Sequence, residues 1–345
     1  MKKKMIGSEN DMEKHRIAAR VATAAFLLGL SVLLMTTFGS YGEDRSSAES
    51  EPYPPEETIV WEDGLRIAVA SDLHYDPDNT DKSAAVSAVQ YNPELIEALL
   101  QDVKKQGSEM LLLTGDLVNG GKVHRHKMLA EMLRQAESGG MAIYVLPGNH
   151  DLSPIGQREF AEIYSEFGYD EAFSRDPASL SYSIVRDGLM LLMMDTGGYS
   201  VSTIDLPGAP KREQAGAFLS GETLKWAEDM LMEAEEQQLR VLCAGHYNLL
   251  PETSRQESGF YLENGTQFAD LLRKYHVPLY LSGHMHIRSV YQEDGLTEML
   301  TEYLLSYPTG YSMLNITDTK LQAAPRRVGV DAWAAETGQQ DPVLL

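Results

Sequence analysis

A single cysteine, Cys243, among 345 residues leaves no internal disulfide framework and no thiolate-held metal cluster to consider. Positive charge is also scarce: 29 Lys and Arg stand against 51 Asp and Glu, a formal net charge of −22. That balance argues against a protein that grips long nucleic acid by releasing counterions, which needs a basic surface. It leaves room for a small phosphorylated substrate, because metal ions supply positive charge locally. No internal repeat is found, and 43% hydrophobic with 23% charged residues excludes a disordered, collagenous or fibrous chain. The length suits one large domain or two ordinary ones, with a core of useful size.

Charge is missing altogether from Val21–Gly39, VATAAFLLGLSVLLMTTFG, nineteen residues that match the length of a bilayer-crossing helix. Residues 1–20 hold six basic groups (Lys2, Lys3, Lys4, Lys14, Arg16, Arg20) against three acidic ones, whereas the chain beyond residue 40 carries 23 basic and 48 acidic groups. Basic residues before the run and Glu43 and Asp44 after it place the N-terminus in the cytoplasm and the rest outside. The expected arrangement is a single-pass membrane anchor with an extracytoplasmic domain. A cleaved signal peptide and a secreted protein remain the alternative, since Thr37, Gly39 and Ser40 resemble a cleavage site. With no cysteine following the run, a bacterial-type lipid attachment there is excluded. Residues 40–60, acidic and rich in Ser and Pro, read as a solvated linker. The folded domain is expected over residues 61–325, followed by a tail over 326–345.

Within the domain, short apolar runs alternate with amphipathic helices. Leu65–Ser71 reads as a buried strand, and Asn92-Pro93-Glu94 as a capped helix start whose helix Gly107 ends. Strands are expected at Met110–Thr114, Ala142–Leu146, Arg240–Ala244 and Pro278–Ser282, and helices at His126–Ser138, Glu222–Gln237 and Thr266–Tyr275. Ser181–Arg186 and Leu189–Asp195 flank Asp187-Gly188, a two-residue hairpin signature. From Arg288 onward the pattern turns antiparallel, with turns at Asp294-Gly295 and Pro308-Thr309-Gly310. The mixture fits a layered α/β domain, sheets inside and helices outside.

Five of these strands end in an unusual residue set: Asp72-Leu73-His74, Gly115-Asp116, Gly148-Asn149-His150-Asp151, Gly245-His246 and Gly283-His284-Met285-His286. Ligands of open α/β sheets gather at such strand ends. Carboxylate, amide and imidazole are hard-to-borderline ligands, suited to Mn, Fe, Zn, Co or Ni. Two ions about 3.5–4 Å apart need three to four protein ligands each, and one carboxylate can serve both. Asp72, His74, Asp116, Asn149, His246, His284 and His286 make seven, with His150 and Asp151 left over and His150 spare for proton transfer.

In the order DLH, GDLV, GNHD, GH and GHMH, across roughly residues 65–290, the chain resembles the calcineurin-like metallophosphoesterase superfamily. The resemblance implies two packed β-sheets flanked by helices, a four-layer α-β-β-α sandwich. It implies that Asp72, His74 and His286 bind one metal, that Asn149, His246 and His284 bind another, and that Asp116 bridges them. His150 would face the scissile phosphoryl group and protonate the leaving alkoxide, with Asp151 orienting its ring. The implied activity is hydrolysis of phosphomonoesters or phosphodiesters by a metal-bridging hydroxide. A phospholipid head-group or cell-envelope phosphodiesterase, suggested by the anchor, is the alternative, as is a nuclease of the same family, against which the acidity weighs. The purple acid branch places a tyrosine ligand three residues after the bridging aspartate; Asn119 stands there, so an Fe(III)–tyrosinate centre is not expected.

Other residues receive structural readings. His124 and His126 are expected at an exposed helix start, His276 in a surface turn, and Cys243, Met190, Met193 and Met194 in the core. Asn149 and His246 lie 97 positions apart, against 44 for Asp72 to Asp116 and 38 for His246 to His284. The loop Thr196–Ser220 in that interval is expected to cover the metals and influence substrate choice.

Overall fold

The computed structural model describes residues 62–79, 91–197, 217–250, 260–305 and 309–328. The basic lead, Val21–Gly39, the linker, most of the loop Thr196–Ser220 and the end of the tail lie outside the described residues.

The chain runs β1 (Leu65–Ala70), α1 (Asn92–Lys105), β2 (Met110–Thr114), α2 (Val123–Glu137), β3 (Ala142–Leu146) and α3 (Gly156–Ile163). It continues through β4 (Ser174–Arg175), β5 (Tyr182–Arg186), β6 (Leu189–Met193), α4 (Gly221–Gln237), β7 (Arg240–Ala244) and α5 (Gly265–Lys274). β8 (Leu279–Ser282), β9 (Ser289–Glu293), β10 (Leu296–Leu300), β11 (Gly310–Ile316) and β12 (Leu321–Arg327) complete it. One sheet has the order β12-β11-β1-β2-β3, the other β4-β5-β6-β7-β8-β10-β9.

Burial on both strand faces explains the continuous apolar runs. Leu191 and Met193 of β6 and Leu242 and Ala244 of β7 share a core with Ile67, Val69 and Leu112 of the first sheet. The alternate residues Leu192, Cys243 and Tyr280 point the other way, into Leu224, Trp226 and Leu231 of α4 and Phe268 and Leu272 of α5. On the outer side of the first sheet, Leu95, Ile96, Leu99 and Val103 of α1 and Leu129 and Leu133 of α2 close the layer. The architecture is the expected four-layer sandwich, and Cys243, Met190, Met193 and Met194 are buried in it.

Several details depart from the sequence reading. β9 and β10 form the expected antiparallel hairpin, but β10 returns beside β8 in parallel, so the pattern after Arg288 is mixed. Asn92 does not cap its helix; its side chain donates to the carbonyls of Leu73 and His74 at 2.8 and 3.3 Å and accepts from the Asp76 N–H at 3.0 Å. α3 and the wide turn after it have no counterpart in the sequence reading, although Phe160, Tyr164 and Phe167, all buried, keep the i, i+4, i+7 spacing of a helical face.

His126 is the clearest correction. α2 begins three residues earlier than expected, which turns His126 from the helix start into its buried face, while His124 stays exposed. The ring Nε2 lies 3.0 Å from the Asp151 carbonyl and Nδ1 lies 3.0 Å from the Tyr164 hydroxyl. A carbonyl only accepts, so Nε2 donates to it and Nδ1 of the neutral ring accepts the tyrosine proton. Burial pushes the imidazole from 6.5 down to about 4. The unfolded chain therefore binds a proton that the native state refuses as pH falls from 6.5 towards 4, and stability drops across that window. We expect His126→Phe to cost roughly 2–4 kcal/mol at neutral pH, through the two abandoned partners. It should also flatten the loss of stability between pH 6.5 and 4. Urea midpoints measured at both ends of the window test this, and an unchanged slope would rule out His126 as its source.

Candidate metal centre

The loops that leave the strand ends first prolong the sheets and then converge. Beyond β1 and β2 the pairing continues: Asp72 N–H donates to the Gly115 carbonyl at 3.0 Å, His74 N–H to Asp116 at 2.8 Å and Tyr75 N–H to Leu117 at 2.9 Å. Beyond β7 and β8, Gly245 N–H donates to Leu281 at 2.9 Å and Gly283 N–H to His246 at 3.0 Å. Two bonds then cross the seam between the sheets. His284 N–H donates to Asp72 Oδ2 at 3.0 Å, and His246 Nδ1 donates to the Thr114 carbonyl at 2.9 Å.

Glycine is needed where these loops touch. A Cβ on Gly148 would collide with the backbone nitrogen and Oδ1 of Asp116, and one on Gly283 with Ser71 Oγ and Asp72 Oδ2. The ligand-bearing residues themselves carry strain. Among the described residues nine other than glycine have positive φ, and five of them are Asp72, His74, Asp116, His284 and His286. Such backbone costs on the order of 1 kcal/mol each and collects at functional sites.

All seven expected ligands meet at the seam. Asp72, His74, Asp116 and His286 present ligand atoms within 4.8 Å of one another, and Asp116, His246 and His284 do so separately, so Asp116 belongs to both groups. Its Oδ2 lies 3.5 Å from His74 Nε2 and 3.4 Å from His246 Nε2. Asn149 Oδ1 joins the second group at 3.1 Å from His246 Nε2. Two observations fit metal ions at these positions. Asp72 Oδ1 is buried with no hydrogen bond, although His286 Nε2 stands 3.2 Å away. His74 Nε2 and His286 Nε2 face each other at 3.2 Å, an approach that a shared cation explains better than two imidazoles do alone.

The charges of the metal-free residues follow from crowding. Burial opposes the charge on Asp116, yet His246 and His74 outweigh it and hold the carboxyl far below the carboxylate range. Asp72 behaves likewise, held low against burial by His286 and His246. Burial alone would lower His246, but Asp116 lifts it to about 9. His74 goes the other way, lowered by burial that Asp116 and Asp72 do not offset. With Nδ1 of His246 committed to Thr114, Nε2 is the atom left for a metal, which must displace a proton to reach it.

The expected proton donor, His150, and its expected orienting partner, Asp151, take separate places. His150 sits at the lip: its N–H donates to Asp116 Oδ1 at 2.8 Å, its ring is 46% exposed, and Nε2 lies 3.9 Å from Asp116 Oδ2. Asp151 does not orient that ring. Its buried carboxylate accepts the backbone N–H groups of Leu117, Val118 and Gly148 at 3.1, 2.9 and 2.7 Å, fastening the loop after β2 to the loop after β3. Burial and the charge of Asp116 push Asp151 up to about 7.

Sequence reasoning missed other loop holders. Arg125, buried, reaches Asp76 at 2.6 Å, Asp78 at 2.9 Å and the Asn119 carbonyl at 2.7 Å, joining the first two loops. Glu298 accepts from Leu249 N–H, Leu250 N–H and Ser282 Oγ at 2.9, 2.7 and 2.7 Å, joining the last two. The available signal was a lone charge inside the apolar strand LTEML. Asn119 donates to Asp76 at 3.2 Å and stands outside both ligand groups. His276 is an exposed turn residue, as expected.

A cavity of about 290 Å³ opens onto the site, lined by Asp116, His150, Phe260, His284, Met285 and His286. A larger hollow of about 630 Å³ lies at the other end of the strands, where Glu62, Asp63, Glu109, Asp187 and Asp318 face only Arg240 as a cation. Acidic and without histidine, it is the wrong environment for a phosphoester.

The calcineurin-like phosphoesterase family model matches residues 65–288. A probable glycerophosphodiester phosphodiesterase of Arcobacter nitrofigilis is 25% identical over 236 residues, 68% of this chain and 77% of that protein. A probable cyclic nucleotide phosphodiesterase of Synechococcus is 26% identical over 237 residues, 68% of this chain and 78% of that one. Among solved structures, a dimetal phosphatase from Danio rerio superposes with a TM-score of 0.56 at 10% identity, covering 77% of this chain and 99% of its own. A purple acid phosphatase from yellow lupin does so with 0.53 at 14% identity, covering 76% and 51%. These two likenesses concern the fold. With the family match spanning all five loops and the ligand groups that they bring together, the chain belongs to the calcineurin-like phosphoesterases, hydrolases of phosphoric esters that work with two metal ions.

Proposed function

We propose that the protein hydrolyses small phosphodiesters with two divalent ions, one held by Asp72, His74 and His286, the other by Asn149, His246 and His284, with Asp116 between them. The observation that carries this reading is the near-equal distance of Asp116 Oδ2 from His74 and His246, 3.5 and 3.4 Å, which suits one carboxylate serving two ions. Mn, Fe, Zn, Co and Ni all suit the donor set. When bound, such ions supply an acidified water as nucleophile and neutralise the phosphoryl oxygens.

The chain's own residues do the rest. Asp116 fixes the His150 backbone through its other oxygen, which keeps the imidazole at the mouth of the cavity. From there His150 protonates the departing alkoxide. Asp151 locks the loop that carries Asn149 and His150. The cavity lining holds no lysine or arginine among the described residues, so positive charge for the ester comes from the ions and histidines alone. That supply suits the single charge of a diester better than the second charge of a monoester, and the names of the two curated relatives agree. The test is hydrolysis of bis-p-nitrophenyl phosphate and p-nitrophenyl phosphate by the purified full chain with Mn²⁺. A monoester preference would overturn the diester assignment, and hydrolysis indifferent to metal would overturn the mechanism.

The same proposal places the domain outside the cytoplasm, anchored by Val21–Gly39. Support comes from the uncharged run and the charges around it. Among the described residues no helix is long and apolar enough to cross a membrane.

Three outcomes are expected. Asp116→Asn abolishes hydrolysis and lowers the metal content measured by elemental analysis, because one carboxylate serves both ions; near-normal activity with two ions bound rejects the bridge. His150→Ala loses about 10²–10⁴-fold in kcat while keeping both metals, and loss of an ion would make it a ligand instead. Protease added to intact cells digests the domain; digestion only after lysis reverses the topology, and a soluble product starting near Ser40 makes the segment a cleaved signal.

A further inference from the structure

Metal-binding histidines are normally aimed by a hydrogen bond from the ring nitrogen that does not face the metal. His246 follows that rule, with Nδ1 on the Thr114 carbonyl at 2.9 Å and the side chain wholly buried. His286 does not. Its Nε2 is the atom that points at Asp72 and His74, its Nδ1 has no hydrogen-bond partner among the described residues, and its side chain is 41% exposed. Its backbone is left-handed, with φ of 57°, on a loop only four residues beyond β8. Nothing in that loop fixes the ring.

An aromatic side chain from elsewhere fills the gap. The Tyr303 ring lies flat against His286, with centroids 4.3 Å apart and planes 12° from parallel. The same ring meets His74 edge-on at 5.4 Å, so it touches two ligands of one ion and bounds the wedge between them. Its own position is well determined. The strand-like pairing of Ser71 with Tyr303 ties it to the end of β1, one residue before Asp72 and three before His74. Thr301 N–H donates to Ser282 at 2.9 Å just before it, and Leu304 and Leu305, fully buried, anchor the chain just after it. A ring on a fixed backbone therefore faces an imidazole whose Nδ1 has no hydrogen-bond partner among the described residues.

We propose that Tyr303 is a positioning residue that sets the ring orientation of His286 by stacking, replacing the hydrogen bond that this ligand lacks. The inference rests on the reading of His286 as a ligand. Stacking also removes one face of the imidazole from water, which confines its rotation to the plane that keeps Nε2 directed at Asp72 and His74. The ring, not the hydroxyl, does this, because the hydroxyl makes no hydrogen bond with a described residue.

Titration of the metal-free full chain with Mn²⁺, followed by calorimetry and electron paramagnetic resonance, tests it. Tyr303→Ala should weaken one of the two binding events by about 10–100-fold, the usual cost of losing a partner that orients a ligand, and should leave the other within twofold. Tyr303→Phe keeps the ring and should bind both ions as the wild type does, which a generally damaged fold would not explain. His286→Ala separates the two readings. If it binds both ions normally, the ligand assignment of His286 fails. If it loses one ion while Tyr303→Ala binds both normally, only the positioning role fails. A Tyr303→Phe variant as defective as Tyr303→Ala also overturns the inference, since the hydroxyl would then carry the effect.

Discussion

Two carboxylates, Asp72 and Asp116, are buried close together where the sheets meet, and the surrounding loops answer to that charge. Both remain ionised despite burial, because histidines from four loops and the backbone N–H groups of His150 and His284 converge on them. Without cations of some kind the arrangement would be costly, as the unbonded Oδ1 of Asp72 indicates. The left-handed backbone at five of the ligand residues is the local cost of pointing so many side chains at one place. Two metal ions held by these residues would supply the positive charge that the two carboxylates need.

The loops that carry these residues have little regular structure of their own, so something must hold their backbones. Buried side chains do it. Asp151 joins the loops after β2 and β3, Glu298 those after β7 and β8, and Arg125 the first two, while Asn92 ties the first loop to α1. Asp195 plays the same part after β6, accepting from the N–H groups of Leu180 and Gly197 at 2.9 and 3.0 Å. Each such acceptor satisfies backbone donors that a sheet would otherwise have paired.

The cluster at the seam is legible in the sequence because strand-end Asp, Asn and His residues have no packing reason to be there, and their residue types alone limit the chemistry. The supporting layer was not, because its members look ordinary: Asn92 sits where a cap belongs, Arg125 is hidden in a basic hexapeptide, and Asp151 adjoins the histidine it was expected to orient. His126 was misjudged for a related reason. With the helix beginning at Val123, His126 falls inside its first turn rather than at its start, and only the residue that follows α3, Tyr164, reveals that this side is inward. The strand pattern after Arg288 was correct locally and incomplete globally, since the return of β10 beside β8 is a long-range choice that no local turn signals. Tyr303 carries no spacing relation to the ligands at all; the crossing of the chain beside Ser71 brings it there.

Both ligand groups draw on the two sheets. Asp72, His74, Asp116 and Asn149 follow strands of one, while His246, His284 and His286 follow strands of the other. On the proposed assignment each ion would be a rivet through the seam as well as a reagent. Metal binding and the docking of the two sheets become a single linked equilibrium, in which an ion at a hundred times its dissociation constant adds about 2.7 kcal/mol to holding the halves together. Metal availability would thereby bear on how long the folded protein lasts as well as on how fast it works.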